Sequence, residues 1–310
     1  MSSADTVFLN GKLVPKTDAT VSIDTVAFKY GAMVFEGLRG YWSEALQELF
    51  VFRLKDHSCR LLNSIKVMRM ESNLREEDFS KAVLEVLKAN MVKDDVHIRQ
   101  MIYVEGFGQM FETGPVSHAI VVNPKARWFS DELQGIRACV SSWQRISDIT
   151  MPPRVKCAAN YQNGRLALLQ ARLDGYQATI FLNAAGKVAE EPRGCIFILR
   201  EGRLATPKLT DGILESITRK TLIQLFRERL QMEVLERDID RTELYLADEA
   251  FVCGSGLEVT PLVSIDGHPV GDGRPGETTR AIREIYLNAA RGELSEYRDW
   301  VTPLYRGSAG

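Results

Sequence analysis

Lys156 stands in the run Val155-Lys156-Cys157-Ala158-Ala159-Asn160-Tyr161, where no neighbour is a carboxylate and few are bulky. A lysine in such surroundings is a candidate for burial with a lowered pKa, the state in which its amine can form a Schiff base with a carbonyl. Read from this run alone, a solvated loop lysine is the simpler alternative. Two further stretches could hold a phosphate dianion. Leu214-Glu215-Ser216-Ile217-Thr218-Arg219 opens a helix, where unpaired N–H groups and the dipole favour an anion, although a plain Ser216 N-cap would give the same pattern. Cys253-Gly254-Ser255-Gly256 follows a strand, and its glycines would permit an anion-binding nest or simply a flexible turn. Glu190 follows the strand-like Gly186-Lys187-Val188-Ala189; entering an apolar region, it would need a cationic partner, and on the surface it would need none.

Other chemistries find little support. Gly106-Phe107-Gly108 has Phe111 where the third glycine of a dinucleotide fingerprint would stand, so it reads as a tight turn. There is no GxxxxGK[ST], HExxH or GxSxG run. His57, His97, His118 and His268 lack the i,i+4 partner of a helical metal pair, and the five cysteines are scattered without CxxC spacing, so neither a metal site nor a disulfide framework is expected. With 39 basic and 41 acidic residues the net charge is −2, and no nucleic-acid or membrane partner is announced. No stretch approaches 18 uninterrupted apolar residues and the start lacks a signal-peptide pattern, so a cytoplasmic protein is expected.

The elements that must position these residues can be read from periodicity. Asn10-Gly11 is a hairpin signal between Val7–Leu9 and Lys12–Val14. Leu49–Arg53, His97–Glu105, Ala119–Val122, Ile136–Val140, Ala178–Asn183, Cys195–Leu199, Met232–Glu236 and Glu249–Cys253 read as strands. Helices are expected over 55–70, 79–90, up to Leu173 with Gly175 as the C′ residue, 217–230 and 278–290. The 310 residues exceed one ordinary domain, and periodicity lapses between Asn123 and Gly135. The expectation is a small N-terminal α/β domain over 1–122, an interdomain loop over 123–135 and a large C-terminal domain over 136–310. Strands and helices mix without a regular βαβ period, so the fold class is α+β.

Taken together, these residues resemble the branched-chain aminotransferase family, the class IV aminotransferases of pyridoxal-phosphate fold type IV. The resemblance runs through Lys29-Tyr30-Gly31-Ala32-Met33-Val34-Phe35-Glu36-Gly37-Leu38-Arg39, Phe52-Arg53-Leu54-Lys55-Asp56-His57, Arg60-Leu61, Ile98-Arg99, Asn160-Tyr161, Ile217-Thr218-Arg219, Leu244-Tyr245-Leu246-Ala247-Asp248-Glu249 and Glu258-Val259-Thr260-Pro261. It implies two domains with mixed sheets, the larger barrel-like with flanking helices, and pyridoxal 5'-phosphate held as an aldimine on Lys156, the catalytic residue. Glu190 would pair with the pyridine nitrogen and Tyr161 with the ring's phenolic oxygen. Arg60, Leu214, Ile217, Thr218 and Ser255 would complete the cofactor site. Tyr30, Phe35, Arg39, His97, Arg99, Gly256 and Leu257 would form the substrate site, with Arg99 receiving a distal carboxylate and Gly256-Leu257 the α-carboxylate.

The implied reaction moves an amino group between a branched-chain or other hydrophobic L-amino acid and 2-oxoglutarate, in a homodimer or higher homo-oligomer. The alternative within the resemblance is a D-amino acid or amine transaminase, or an enzyme like aminodeoxychorismate lyase. The chain departs from the family pattern where Glu191-Pro192-Arg193-Gly194-Cys195 replaces Gly-x-Gly-Glu-Asn, where His97 replaces a tyrosine and Ser216 a glycine, and where Trp128 is displaced from the expected tryptophan.

Overall fold

Asn10 and Gly11 adopt positive φ (48° and 81°) and turn strand β1 (Thr6–Leu9) into β2 (Lys12–Pro15), as the Asn-Gly pair leads one to expect. The structure, a computed structural model, describes residues 5–124 and 134–306. Most of the expected 123–135 connection, with Trp128, therefore lies outside the described residues. After β2 come α1 (Val26–Tyr30), β3 (Met33–Ser43), β4 (Glu48–Phe52), α2 (Leu54–Val67), α3 (Glu76–Ala89), β5 (Val96–Val104), β6 (Val116–Pro124) and β7 (Ile136–Gln144). The chain continues through α4 (Tyr161–Leu173), β8 (Ala178–Leu182), β9 (Cys195–Arg200), β10 (Arg203–Thr206), α5 (Ile217–Arg229), β11 (Val234–Glu236), β12 (Glu249–Gly254), β13 (Glu258–Ile265), β14 (His268–Pro269), α6 (Glu277–Ala290) and β15 (Val301–Pro303).

The chain divides into two units, each with its own sheet. The first comprises the described residues up to 124, Val155–Ala159 and 288–306. Its seven strands run in the order β15-β4-β3-β5-β6-β1-β2. One face of β3 packs Val34 and Leu38 into clusters with Leu61 and Ile65 of α2 and Val83, Val86 and Leu87 of α3. The Val155–Ala159 segment extends this sheet at the edge of β3: Phe35 N–H donates to Lys156 O and Ala158 N–H to Met33 O, both at 2.9 Å.

The second unit comprises the described residues 134–154 and 160–287. Its eight-stranded sheet has the order β11-β10-β9-β12-β13-β7-β8, with β14 paired to β13 off this path, and a core cluster including Ile180, Ile196, Ile198, Val252 and Leu262 lies on it. Parallel pairs (β7 with β8 and β13, β10 with β11) and antiparallel pairs (β9 with β10 and β12) coexist, the mixed α+β pattern expected. Gly175 follows α4 at φ 82°, the left-handed C′ position that glycine takes without strain. Among the described residues no helix is long and apolar enough to cross a membrane.

Candidate active site

In the first unit, alternation along β3 sorts the candidate residues by face. Phe35, Gly37 and Arg39 point to one side, and their antiparallel partners on β5 bring Arg99 opposite Gly37 and His97 opposite Arg39. Lys156 is the edge partner of Phe35, and its Nζ lies 5.1 Å from the centroid of the Phe35 ring, while the Arg99 guanidinium lies 4.6 Å from it. Lys156 is only 9% exposed, which settles its burial against the solvated-loop alternative. His97 fits because Gly37 has no Cβ: one placed there would stand 3.2 Å from His97 Nε2. Burial, with the charges of Arg99, Arg39 and Lys156, holds His97 down to about 3, so its ring is neutral at pH 7. Arg39 is 2% exposed and lies over the Tyr41 ring; Tyr30, at the end of α1, is half exposed.

Arg60 is on the other side of β3. There Glu36, fully buried, receives Arg60 Nε on Oε1 and Arg60 Nη2 on Oε2, each at 2.7 Å, and its Oε2 lies 2.7 Å from His57 Nδ1. Burial would raise the Glu36 carboxyl, but the charge and hydrogen bonds of Arg60, with His57, outweigh it and hold it at about 2. Burial lowers His57, against the opposing pull of Glu36, with smaller contributions from the charges of Arg60 and Lys156. Sequence reasoning quoted Glu36 and His57 within motifs without a role; their spacing, 21 residues apart on a strand and a helix, carries no periodic signal.

In the second unit Glu190 finds the cationic partner its surroundings demand. Arg145 Nη2 stands 2.6 Å from Glu190 Oε1, both side chains are under a tenth exposed, and Leu214 N–H donates to Glu190 Oε2 at 3.0 Å. Arg145 is fixed in turn by donating from Nε to Gly212 O at 3.0 Å. Leu214, a candidate cofactor residue, thus spends its N–H on orienting Glu190. Arg145 was missed because it follows a strand end and nothing local marks it.

Helix α5 begins as read. Ser216 is the N-cap, with its Oγ accepting from Arg219 N–H at 3.2 Å, so the N–H groups of Ile217 and Thr218 precede the helical ladder. Arg219 itself is buried and structural, donating to Pro207 O (2.8 Å) and Glu236 Oε2 (2.7 Å). The second anion reading is corrected in its reason. Neither Gly254 nor Gly256 is among the residues with positive φ; Glu258 is, at 52°. Gly254 instead allows close approach: a Cβ there would stand 3.1 Å from Arg193 O. Leu257 N–H closes the turn onto Gly254 O at 3.1 Å, with Ser255 and Gly256 partly exposed at its tip.

The unusual Glu191–Gly194 loop wedges against two neighbours. Pro192 packs where a Gly164 side chain would be, one turn into α4 from Tyr161, and Gly194 lies under Cys253 O. Arg193 folds back on Glu191, donating from N (2.6 Å) and Nε (2.8 Å) to its carboxylate.

With this geometry in place, the profile of the family described as Amino-transferase class IV matches residues 33–265. The chain belongs to the class IV aminotransferase family. It is accordingly an enzyme, an aminotransferase. A relative named a probable branched-chain-amino-acid aminotransferase, from Aquifex aeolicus, is 40% identical over 306 residues, 98% of each chain. Among solved structures, the branched-chain amino acid aminotransferase of Thermobaculum terrenum in its PLP form is 40% identical, with a TM-score of 0.93 over 98% of this chain and 99% of that one. That of the archaeon Thermoproteus uzoniensis, solved with norvaline, is 40% identical, with a TM-score of 0.92 over 97% and 99%. The mixed two-sheet architecture is thus that of the class IV aminotransferases.

The side chains of this class IV aminotransferase fit a phosphorylated pyridine aldehyde. In the first unit Lys156 is a buried amine and Arg60 a cation; in the second the start of α5 offers a pair of backbone donors, and Glu190 is a buried carboxylate paired with Arg145.

Proposed function

We propose that this pyridoxal 5'-phosphate enzyme moves an amino group between a branched-chain or other hydrophobic L-amino acid and 2-oxoglutarate. When bound, the cofactor supplies a carbonyl for amine exchange and an electron sink for the carbon that loses its proton. Lys156 would hold it through Nζ, and the same amine would carry the proton at the substrate Cα. Glu190 holds the proton at the pyridine nitrogen; Tyr161 binds the phenolic oxygen. Arg60, Ile217, Thr218 and Ser255 bind the phosphate. The Leu214 N–H serves this set by orienting Glu190.

The substrate reading rests on β3 and β5. Phe35 and Tyr30 offer apolar and aromatic surface to a hydrophobic side chain. Arg99, over the Phe35 ring, receives the distal carboxylate of glutamate or 2-oxoglutarate, with Arg39 and a neutral His97 beside it. One wall can thus accept both half-reactions in turn, the requirement of a ping-pong cycle. The Gly256-Leu257 turn receives the α-carboxylate at its Gly256 N–H, the Leu257 N–H being engaged by Gly254 O. In this reading residues 1–122 form the small domain and 136–310 the large cofactor-binding domain, joined through 123–135, except that Val155–Ala159 and 288–306 pack with the first unit; the enzyme works in the cytoplasm as a homodimer or higher homo-oligomer.

The observation that carries the proposal is the buried Lys156 amine fixed beside Phe35 and Arg99 by the backbone pairing of its own carbonyl with Phe35 N–H. The test is the near-ultraviolet and visible absorption of the purified protein with added pyridoxal 5'-phosphate, before and after L-leucine or L-glutamate. Conversion of the cofactor band to the pyridoxamine form by both amino acids is the expected result. A band that neither alters would transfer the enzyme to the D-amino acid, amine or lyase alternatives.

A further inference from the structure

The Glu36–Arg60–His57 cluster is more elaborate than a phosphate contact requires. A guanidinium offers five donors in a rigid fork. Glu36 engages Arg60 through Nε and Nη2 in a side-on pair, both bonds 2.7 Å, with the carboxylate wholly buried in the floor formed by β3 and α2. This pairing fixes the plane and direction of the fork, because a bidentate carboxylate allows neither rotation about the last torsion nor retreat of the arm. Nη1 then extends on the side opposite Glu36. His57 completes the clamp: its Nδ1 meets the same Glu36 Oε2 at 2.7 Å, and it sits one helical turn before Arg60 on α2. It adds a second contact to that carboxylate oxygen, and burial draws its ring towards the neutral form.

We infer that Glu36 is the positioning residue for cofactor phosphate, aiming Arg60 with His57 as its brace. The inference rests on the reading of Arg60 as a phosphate ligand. A negative charge beside a phosphate ligand has two opposed effects. It weakens the long-range attraction of a dianion, and it pre-organises the donors that touch it. Pre-organisation wins here because the alternative is not a freely placed arginine. With glutamine at position 36, one amide N–H₂ faces a guanidinium N–H₂, two donors with no acceptor between them, so Arg60 must swing off its line.

The experiment compares binding of pyridoxal 5'-phosphate and of pyridoxal, which lacks the phosphate, to the full-length protein freed of cofactor, by tryptophan fluorescence and absorption. The ratio of the two affinities isolates the phosphate. Glu36→Gln is expected to lower that ratio by about tenfold to a hundredfold, the range for one or two lost charge-assisted bonds, and to leave pyridoxal affinity unchanged. Arg60→Ala is expected to lower it at least as much. If Arg60→Ala lowers the ratio and Glu36→Gln does not, or weakens both ligands equally, the positioning role is wrong while the phosphate reading stands. If Arg60→Ala leaves the ratio unchanged, the phosphate reading itself fails. Should Glu36→Gln not fold, Glu36→Asp keeps the charge but draws the carboxylate back by one methylene; an unaltered ratio in that variant would equally overturn the inference.

Discussion

The two units carry their candidate chemistry in different currencies. The first presents side-chain charge: Lys156, Arg99 and Arg39 on one face of β3 and β5, and Arg60 on the other, with the buried Glu36 paired to Arg60. The second presents backbone donors at strand ends and a helix start, organised around the Glu190–Arg145 pair. The first unit also holds three buried histidines, His57, His97 and His118, whereas the single histidine of the second, His268, is exposed. A site made of side chains is fixed by burial and ion pairing, and so depends on pH. One made of N–H groups is fixed by turns and caps, and so depends on glycine and serine at particular positions.

Substitutions can separate these two modes. The largest effect is expected for Lys156→Ala, which should lower turnover of L-leucine by at least about 10²–10⁴, the share of proton transfer alone. The circular dichroism spectrum should stay unchanged, because the Phe35 N–H to Lys156 O bond belongs to the backbone; normal turnover would remove Lys156 from the chemistry. Next, Glu190→Ala strands Arg145 in the interior and should cost about 3–5 kcal/mol in urea unfolding, with Glu190→Gln costing less. Equal stability of the alanine variant would mean that water reaches Arg145 and the pair is not the keystone of the second unit.

The pH response should fall on the first unit. Burial holds His118 at about 4 and His97, with the nearby cations, at about 3, both below the ordinary 6.5. Between pH 6.5 and 4 the unfolded chain therefore binds protons that the folded one refuses, and stability falls as pH falls. At pH 5 each histidine costs on the order of 2 kcal/mol. Glu36 acts in a lower window, its contribution being lost as pH drops from about 4.5 to about 2. Hydrogen exchange at pH 7 and pH 5 should show β5 and β6 opening before β9 and β12, and His118→Gln should shrink the difference; uniform loosening would contradict the contrast between the units.

A smaller effect tests the backbone half. Gly194→Ala places a Cβ 2.1 Å from Cys253 O, so the loop behind Glu190 must part from β12, at about 1–3 kcal/mol. The smallest should come from Ser216→Ala, about 1 kcal/mol for a lost N-cap, read from the urea midpoint.

Much of this was legible along the chain. The Asn10-Gly11 hairpin, the helices α2 to α5, the Ser216 cap and the Gly175 terminus each follow from local turn chemistry or periodicity. Strand β3 was not assigned, because Met33–Ser43 is buried on both faces and shows no polar alternation. The isolated Lys156 run was ambiguous for a related reason: its burial comes from a strand more than a hundred residues earlier. The Gly254 reading went astray because a glycine that makes room and a glycine that bends the chain look the same in sequence.

The sequence by itself determined the nature of each group: an amine among small residues, a helix start able to receive an anion, a carboxylate in need of a cation. These depend on a few neighbouring residues and on backbone geometry, so they can be read locally. Tertiary structure decided the partners. Pairing across β3, β5 and α2 set Lys156 beside Phe35 and Arg99 and turned Arg60 to the opposite face onto Glu36; in the second unit, packing of the segment after β7 against the loop before β9 placed Arg145 on Glu190. Such contacts join residues far apart in the chain, and what selects them is the cost of burying a charge without an opposite one beside it.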